Sequence, residues 1–174
     1  MALIYDTSKT RSDASLPKKT AATLALVLMI ALGLYAWFGA TNGTMLILRG
    51  IAGEGAPRGL LDDSAALAYA RKHGFSGEVI DVAADGGPQV QLALKRIREG
   101  GVTAIYGFSG GGFNATAVWN ALKPEERARI RRIVVVGAPG ITKASFPGAR
   151  EVVVQEDPPA GHMEGPRALL QSGN

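Results

Sequence analysis

The residues best able to do chemistry in this chain gather around Ser109, in the run Gly107-Phe108-Ser109-Gly110-Gly111. The pattern is G-x-S-x-G, and it lies between an apolar stretch with strand character, 102–106, and a stretch with helix character, 113–122. A serine at such a junction sits on a tight turn, and the flanking glycines keep side chains from colliding with the neighbouring strand and helix. Its hydroxyl then stands at the start of a helix, whose N–H groups and dipole favour a developing oxyanion. A serine is a weak nucleophile without a base. The chain offers two histidines, His73 and His162. His73 closes a helix just before Gly74, where it interacts with the helix C-terminus, a structural role. His162 follows Gly161 on a loop after a strand and is the candidate base. Asp157, five residues earlier, is the candidate acid that orients it. Pro158, Pro159 and Gly161 supply the turn needed between them; Glu156 and then Asp85 are the alternates. The backbone N–H groups of Gly110 and Ile51 are the expected oxyanion donors, with Ala52 the next choice. Arg49, close by, is expected either to bind an anionic group on substrate or to pair with Glu54 or Asp157.

Other chemistries fit less well. A dinucleotide site wants G-x-G-x-x-G after the first strand and an acid about 20 residues on. Here Ser109 takes the second glycine's place, the strand is the third, and no acid ends the next one. A Walker loop wants Gly-Lys-Ser/Thr, which is absent. Without cysteine there are no disulfides, thiolate nucleophiles or cysteine metal sites. No metal or organic cofactor is implied. The formal net charge is +4. Four bases (Lys9, Arg11, Lys18, Lys19) and two acids (Asp6, Asp13) precede a long apolar segment; the rest carries 15 bases against 13 acids. That balance argues against nucleic acid as a partner, which wants a clustered basic face. The cluster over 127–132 reads as the end of an amphipathic helix.

These residues need a scaffold that brings strand ends together. Apolar runs predict strands over 45–48, 78–82, 102–106, 133–136 and 151–154. Between them, patterning and stop signals predict helices over 63–73, 88–98, 113–122 and 124–130, with a last one over 166–170. Several strand runs are continuously apolar, as in strands covered by helices on both faces. The fold class is therefore α/β: a doubly wound, mainly parallel five-stranded sheet. In such sheets the site lies at the carboxyl ends of the strands, and glycine concentrates after each of these strands.

No charged side chain occurs between residues 20 and 48, and residues 21–40 read AATLALVLMIALGLYAWFGA. Twenty helical residues span about 30 Å, the thickness of a bilayer's hydrocarbon. Tyr35 and Trp37 stand where an aromatic belt would lie, and the bases flank the N-terminal side. The expectation is a cytoplasmic tail over 1–20, one transmembrane helix over 21–40, and an exported domain over 41–174, periplasmic or extracellular. A cleaved signal peptide is the rival. It wants a shorter apolar stretch and a small-x-small site, whereas Phe38-Gly39-Ala40 presents a bulky residue.

On Arg49-Gly50-Ile51-Ala52-Gly53, Gly107-Phe108-Ser109-Gly110-Gly111 and the Asp157 and His162 pair, residues 44–170 resemble a minimal α/β-hydrolase, similar in economy to cutinases. The resemblance implies hydrolysis of an ester, thioester or related acyl bond through an acyl-enzyme. Ser109 would attack, His162 shuttle the proton, Asp157 orient His162, and the Gly110 and Ile51 amides hold the oxyanion. The chain departs from the family pattern. Arg49 replaces the usual histidine of the oxyanion loop, the first two and the last of the usual eight strands are missing, there is no lid, and Asp157 and His162 are unusually close in sequence. An open, shallow site is implied, suited to a small or surface-presented acyl substrate. Two other functions remain open: a non-catalytic hydrolase-like module that binds a partner at the membrane, and a flavodoxin-like nucleotide or phosphate binder at the Gly-rich turn.

Overall fold

The computed structural model describes Thr23, residues 26–30, 41–50, 63–80 and 87–173. Contacts divide the chain into two units, Met1–Ala40 and Thr41–Asn174. In the first unit the described residues are helical, and Leu26, Val27, Leu28, Met29 and Ile30 are each more than half exposed. Among the described residues no helix is long and apolar enough to cross a membrane. Most of the expected span over 21–40 lies outside them.

The second unit alternates strand and helix: β1 (Thr44–Leu48), α1 (Asp63–Lys72), β2 (Ser76–Ile80), α2 (Gly87–Glu99), β3 (Val102–Phe108), α3 (Gly110–Ala121), α4 (Pro124–Arg127), β4 (Arg132–Val136), β5 (Val152–Gln155) and α5 (Gly165–Ser172). The strands form one sheet in the order β2-β1-β3-β4-β5, and every neighbouring pair is parallel. Both faces are covered. Leu46, Leu48, Ile105, Ile133 and Val135 point to the side packed by α2 and α3, with Leu94, Ile97, Val118 and Trp119. Their strand neighbours Met45, Ile47, Tyr106, Val134 and Val136 point to the side packed by α1 and α5, with Ala66, Tyr69 and Leu169. Side chains alternate along a strand with period two, so a strand buried on both faces must be apolar at every position. That is why the buried stretches of β1, β3 and β4, residues 45–48, 104–108 and 133–136, read as unbroken apolar runs. Strand order reverses between β1 and β3, and at this switch point a crevice opens beyond the carboxyl ends.

Several boundaries differ from the sequence expectation. β3 runs on through Phe108, so α3 starts at Gly110 rather than 113. Three successive glycines are poor helix formers, each about 1 kcal/mol worse than alanine, but tertiary packing demands glycine at 111 and 112, where a Cβ would lie 2.1 Å from Leu48 O and 2.6 Å from Ala138 Cβ. β2 starts earlier, at Ser76; Asp81 and Val82, expected to end it, lie outside the described residues, as does Asp85. α4 stops at Arg127, and residues 128–130 turn into β4 instead of continuing the helix.

Candidate active site

Ser109 follows β3 directly with φ 53° and ψ −123°. Among the described residues it is the one non-glycine with positive φ. A side chain in that region is strained by about 1–3 kcal/mol and persists only where the surroundings enforce it. Here they do. Ser109 N–H donates to Val136 O at 2.8 Å, which fixes the turn to β4, and its carbonyl accepts from Gly112 N–H at 2.9 Å. The chain must then double back on itself. A Cβ on Gly107 would lie 2.5 Å from Gly111 O, and one on Gly111 would lie 2.1 Å from Leu48 O. No side chain fits at either position, so both motif glycines are dictated by close backbone approach. Gly110 is the first residue of α3; a donor there has no intrahelical acceptor.

The strand register places the other residues beside this turn. Phe108 pairs with Val136, and Val136 with Gln155. The next residues, Ser109, Gly137 and Glu156, therefore stand at successive strand ends, about 5 Å apart per strand. The segment after β5 folds back: Gly161 N–H donates to Pro158 O at 2.9 Å, and a 3-10 turn spans His162–Glu164. This brings His162 Nδ1 to 2.8 Å and 2.9 Å from the two carboxylate oxygens of Asp157. Glu156 is exposed, and among the described residues its carbonyl accepts from Gln155 Nε2 while its carboxylate meets no partner. The imidazole stacks on Phe108 with centroids 4.9 Å apart and planes at 23°. It also covers Gly137: a Cβ there would lie 2.5 Å from Asp157 Oδ1 and 2.9 Å from His162 Cε1. With Nδ1 turned to Asp157, Nε2 is the nitrogen left to take a proton. Among the described residues no hydrogen bond joins Ser109 Oγ to His162. His73, just past the end of α1, lies against Tyr69 with ring centroids 4.2 Å apart and planes tilted by 42°.

On the other side of Ser109 lies the chain leaving β1. A Cβ on Gly50 would stand 2.9 Å from Ser109 Cβ and 3.4 Å from its Oγ. Ile51, Ala52 and Glu54 lie outside the described residues. Arg49 pairs with Asp63 in the first turn of α1, Nε donating at 2.8 Å and 3.1 Å. Neither of its expected acids is this partner: Asp157 faces His162, and Glu54 lies outside the described residues. Beside Gly50 opens an apolar cavity of about 130 Å³. Ala65, Ala66, Tyr106, Phe108, Met163 and Pro166 line it, with Arg49 and Asp63 also at its wall. Among the described residues the buried Tyr106 hydroxyl has no hydrogen-bond partner, and burial pushes its pKa up.

The structure thus brings Asp157, His162, Phe108, Gly137, Ser109 and Gly50 to one rim. Gly137, Asp63 and Tyr106 were missed in the sequence. Gly137 alone carried a signal, since a glycine follows the fourth apolar run. Among the described residues no group of acids and histidines could hold a metal ion.

No family model matches this chain, and no curated protein does. Among solved structures, the chain is similar to Trichoderma reesei cutinase in complex with a C11Y4 phosphonate inhibitor, at 20% identity over 82% of this chain and 78% of that one, with a TM-score of 0.42. That likeness is too loose to bear on activity. The five-stranded parallel sheet fits the α/β-hydrolase fold, but its strand order also suits flavodoxin-like proteins.

Proposed function

We propose that this protein is a serine hydrolase that cleaves an ester, thioester or related acyl bond through an acyl-enzyme on Ser109. The observation that carries this reading is the positive-φ serine between β3 and α3, with a histidine–aspartate pair that follows β5, two strands away, and folds back over Gly137 at the end of β4. In the reaction Ser109 Oγ attacks the acyl carbonyl while His162 Nε2 takes its proton. Asp157 holds the imidazole by Nδ1 and stabilises the imidazolium. The tetrahedral oxyanion is held by Gly110 N–H and by an amide of the loop after β1, Ile51 in this reading. His162 then protonates the leaving group, and water reverses the sequence to release the acid. The acyl chain would lie in the cavity beside Gly50. Arg49 lines that cavity with its charge already met by Asp63, which suits an uncharged substrate better than the anionic one considered for it. Residues 21–40 are read as a membrane anchor, with the domain on the far side of the membrane from the N-terminus.

A second reading is a hydrolase-like binding module without activity. The missing hydrogen bond between Ser109 Oγ and His162 favours it, although such bonds commonly tighten only when substrate is present. One experiment decides. The full-length chain is treated with a fluorophosphonate and the labelled residue is mapped by mass spectrometry. The hydrolase reading expects label on Ser109, abolished in Ser109→Ala and reduced at least 100-fold in rate in His162→Ala. A folded protein that takes no label belongs to the second reading.

A further inference from the structure

We propose that Gln89 and Asn114 are positioning residues of this same site: they hold the Arg49–Gly50 peptide against Ser109, and turnover depends on them although neither touches substrate. This rests on Ser109 being the nucleophile.

Gln89, in the first turn of α2, is fully buried, and Asn114, on α3, is 7% exposed. Both lie on helices that otherwise present Leu94, Ala115 and Val118 to the sheet. An amide buried there without a partner would cost about 1–3 kcal/mol, and apolar side chains of the same size would pack as well. The two amides form a chain instead. Asn114 Nδ2 donates to Gln89 Oε1 at 2.7 Å, and Gln89 Nε2 donates to the Arg49 carbonyl at 3.4 Å. The chain ends on the carbonyl of the peptide that leads into Gly50.

That peptide is held from other sides as well. A Cβ on Gly111 would lie 2.7 Å from Arg49 O, so α3 itself backs the carbonyl. The Arg49 guanidinium is tied to Asp63 on α1. What these contacts hold is Gly50, close enough to Ser109 that a Cβ there would lie 2.9 Å from the serine's Cβ. Asn114 sits five residues beyond Ser109 on the same helix. The helix that presents the nucleophile therefore also sets, through Gln89, the position of the Arg49–Gly50 peptide. An oxyanion donor displaced by an ångström loses on the order of 10²-fold in rate. A polar chain in an otherwise apolar layer is a means of fixing one carbonyl where packing alone would allow it to slide.

The test uses the full-length chain carrying Gln89→Met, Asn114→Leu or both, assayed on a p-nitrophenyl ester. The expected result is a kcat lowered roughly 10- to 100-fold with KM within about twofold. Affinity for a boronic acid, which forms a tetrahedral adduct on Ser109, should fall in proportion to kcat. The double variant should be no slower than the slower single one, because both break one chain. Gln89→Glu supplies a separate readout that does not depend on the apolar variants folding. A neutral carboxyl can donate to the Arg49 carbonyl and a carboxylate cannot, so its rate relative to wild type should decline as pH rises. Unchanged kcat in the folded variants, a change confined to KM, or a flat Gln89→Glu ratio overturns the inference. Those results leave the hydrolase reading standing if wild type is labelled at Ser109; an unlabelled wild type overturns both.

Discussion

Ser109 is held in a conformation that its own side chain disfavours, and this can be measured. Glycine has no Cβ and adopts φ 53° freely. Ser109→Gly should relieve about 1–3 kcal/mol of strain, offset by about 0.4–1 kcal/mol of added unfolded-chain entropy. The expected net gain is about 1 kcal/mol, a rise in Tm of roughly 3 °C, with activity abolished. Ser109→Ala keeps the strain and should stay within about 0.5 kcal/mol of wild type. Thermal unfolding of the three proteins checks this; equal gains in both variants would mean that the hydroxyl, not the backbone, is disfavoured. The Asp157–His162 pair behaves oppositely. Its side chains are 38% and 40% exposed, so the contact contributes at most about 1 kcal/mol to stability. In the proposed reaction its value lies in orientation.

At the scale of elements, the sequence carried the strands and the serine turn because both follow from local patterns. An all-apolar strand is a strand with helices on both sides, and glycines around a serine are a backbone requirement. The start of α3 was not legible. Gly110-Gly111-Gly112 reads as a loop, and only the approach of Leu48 O and Ala138 Cβ shows why glycine is needed in a helix there. The Arg49–Asp63 pair and the Gln89–Asn114 chain were also hidden, because they join residues 14 and 25 apart on different elements. Polar residues near helix starts read as surface until the packing is known. Glu126 gives the element-scale prediction. Its carboxylate caps α4 by accepting from Lys123 N–H at 2.9 Å, and Arg98 Nε donates to it at 3.2 Å. The Lys123 amide, with help from Arg98, lowers its pKa. A depressed carboxylate stabilises the fold fully above its unfolded value and loses that contribution as pH falls through its folded one. The Tm difference between wild type and Glu126→Gln should hold steady from neutral pH to about 5 and shrink below about pH 4. A difference that grows on acidification would reverse this assignment.

For the whole molecule, the open question is where the hydrolase-like unit works. Residues 21–40 carry no charge and are almost wholly apolar, and the described part is helical with its side chains exposed. Exposed apolar side chains on a helix of that composition are disfavoured in water and favoured in lipid. Full-length protein expressed in a bacterium should stay with the membranes through an alkaline carbonate wash, and deletion of 21–40 should release it. External protease should reach the domain only after the outer barrier is opened, if it faces away from the cytoplasm. Full-length protein in the carbonate-soluble fraction would remove the anchor from this account. The sheet needs no such segment, since its two faces are already covered by its own helices.

The strained serine also bears on the history of the chain. Mutation steadily supplies neighbouring codons, and in a lineage whose serine no longer mattered, glycine at 109 would improve folding and spread unopposed. The glycines packed against it would likewise be free to loosen. If Ser109→Gly proves the more stable protein, a serine kept at this φ is what selection for the proposed nucleophile's hydroxyl would leave behind.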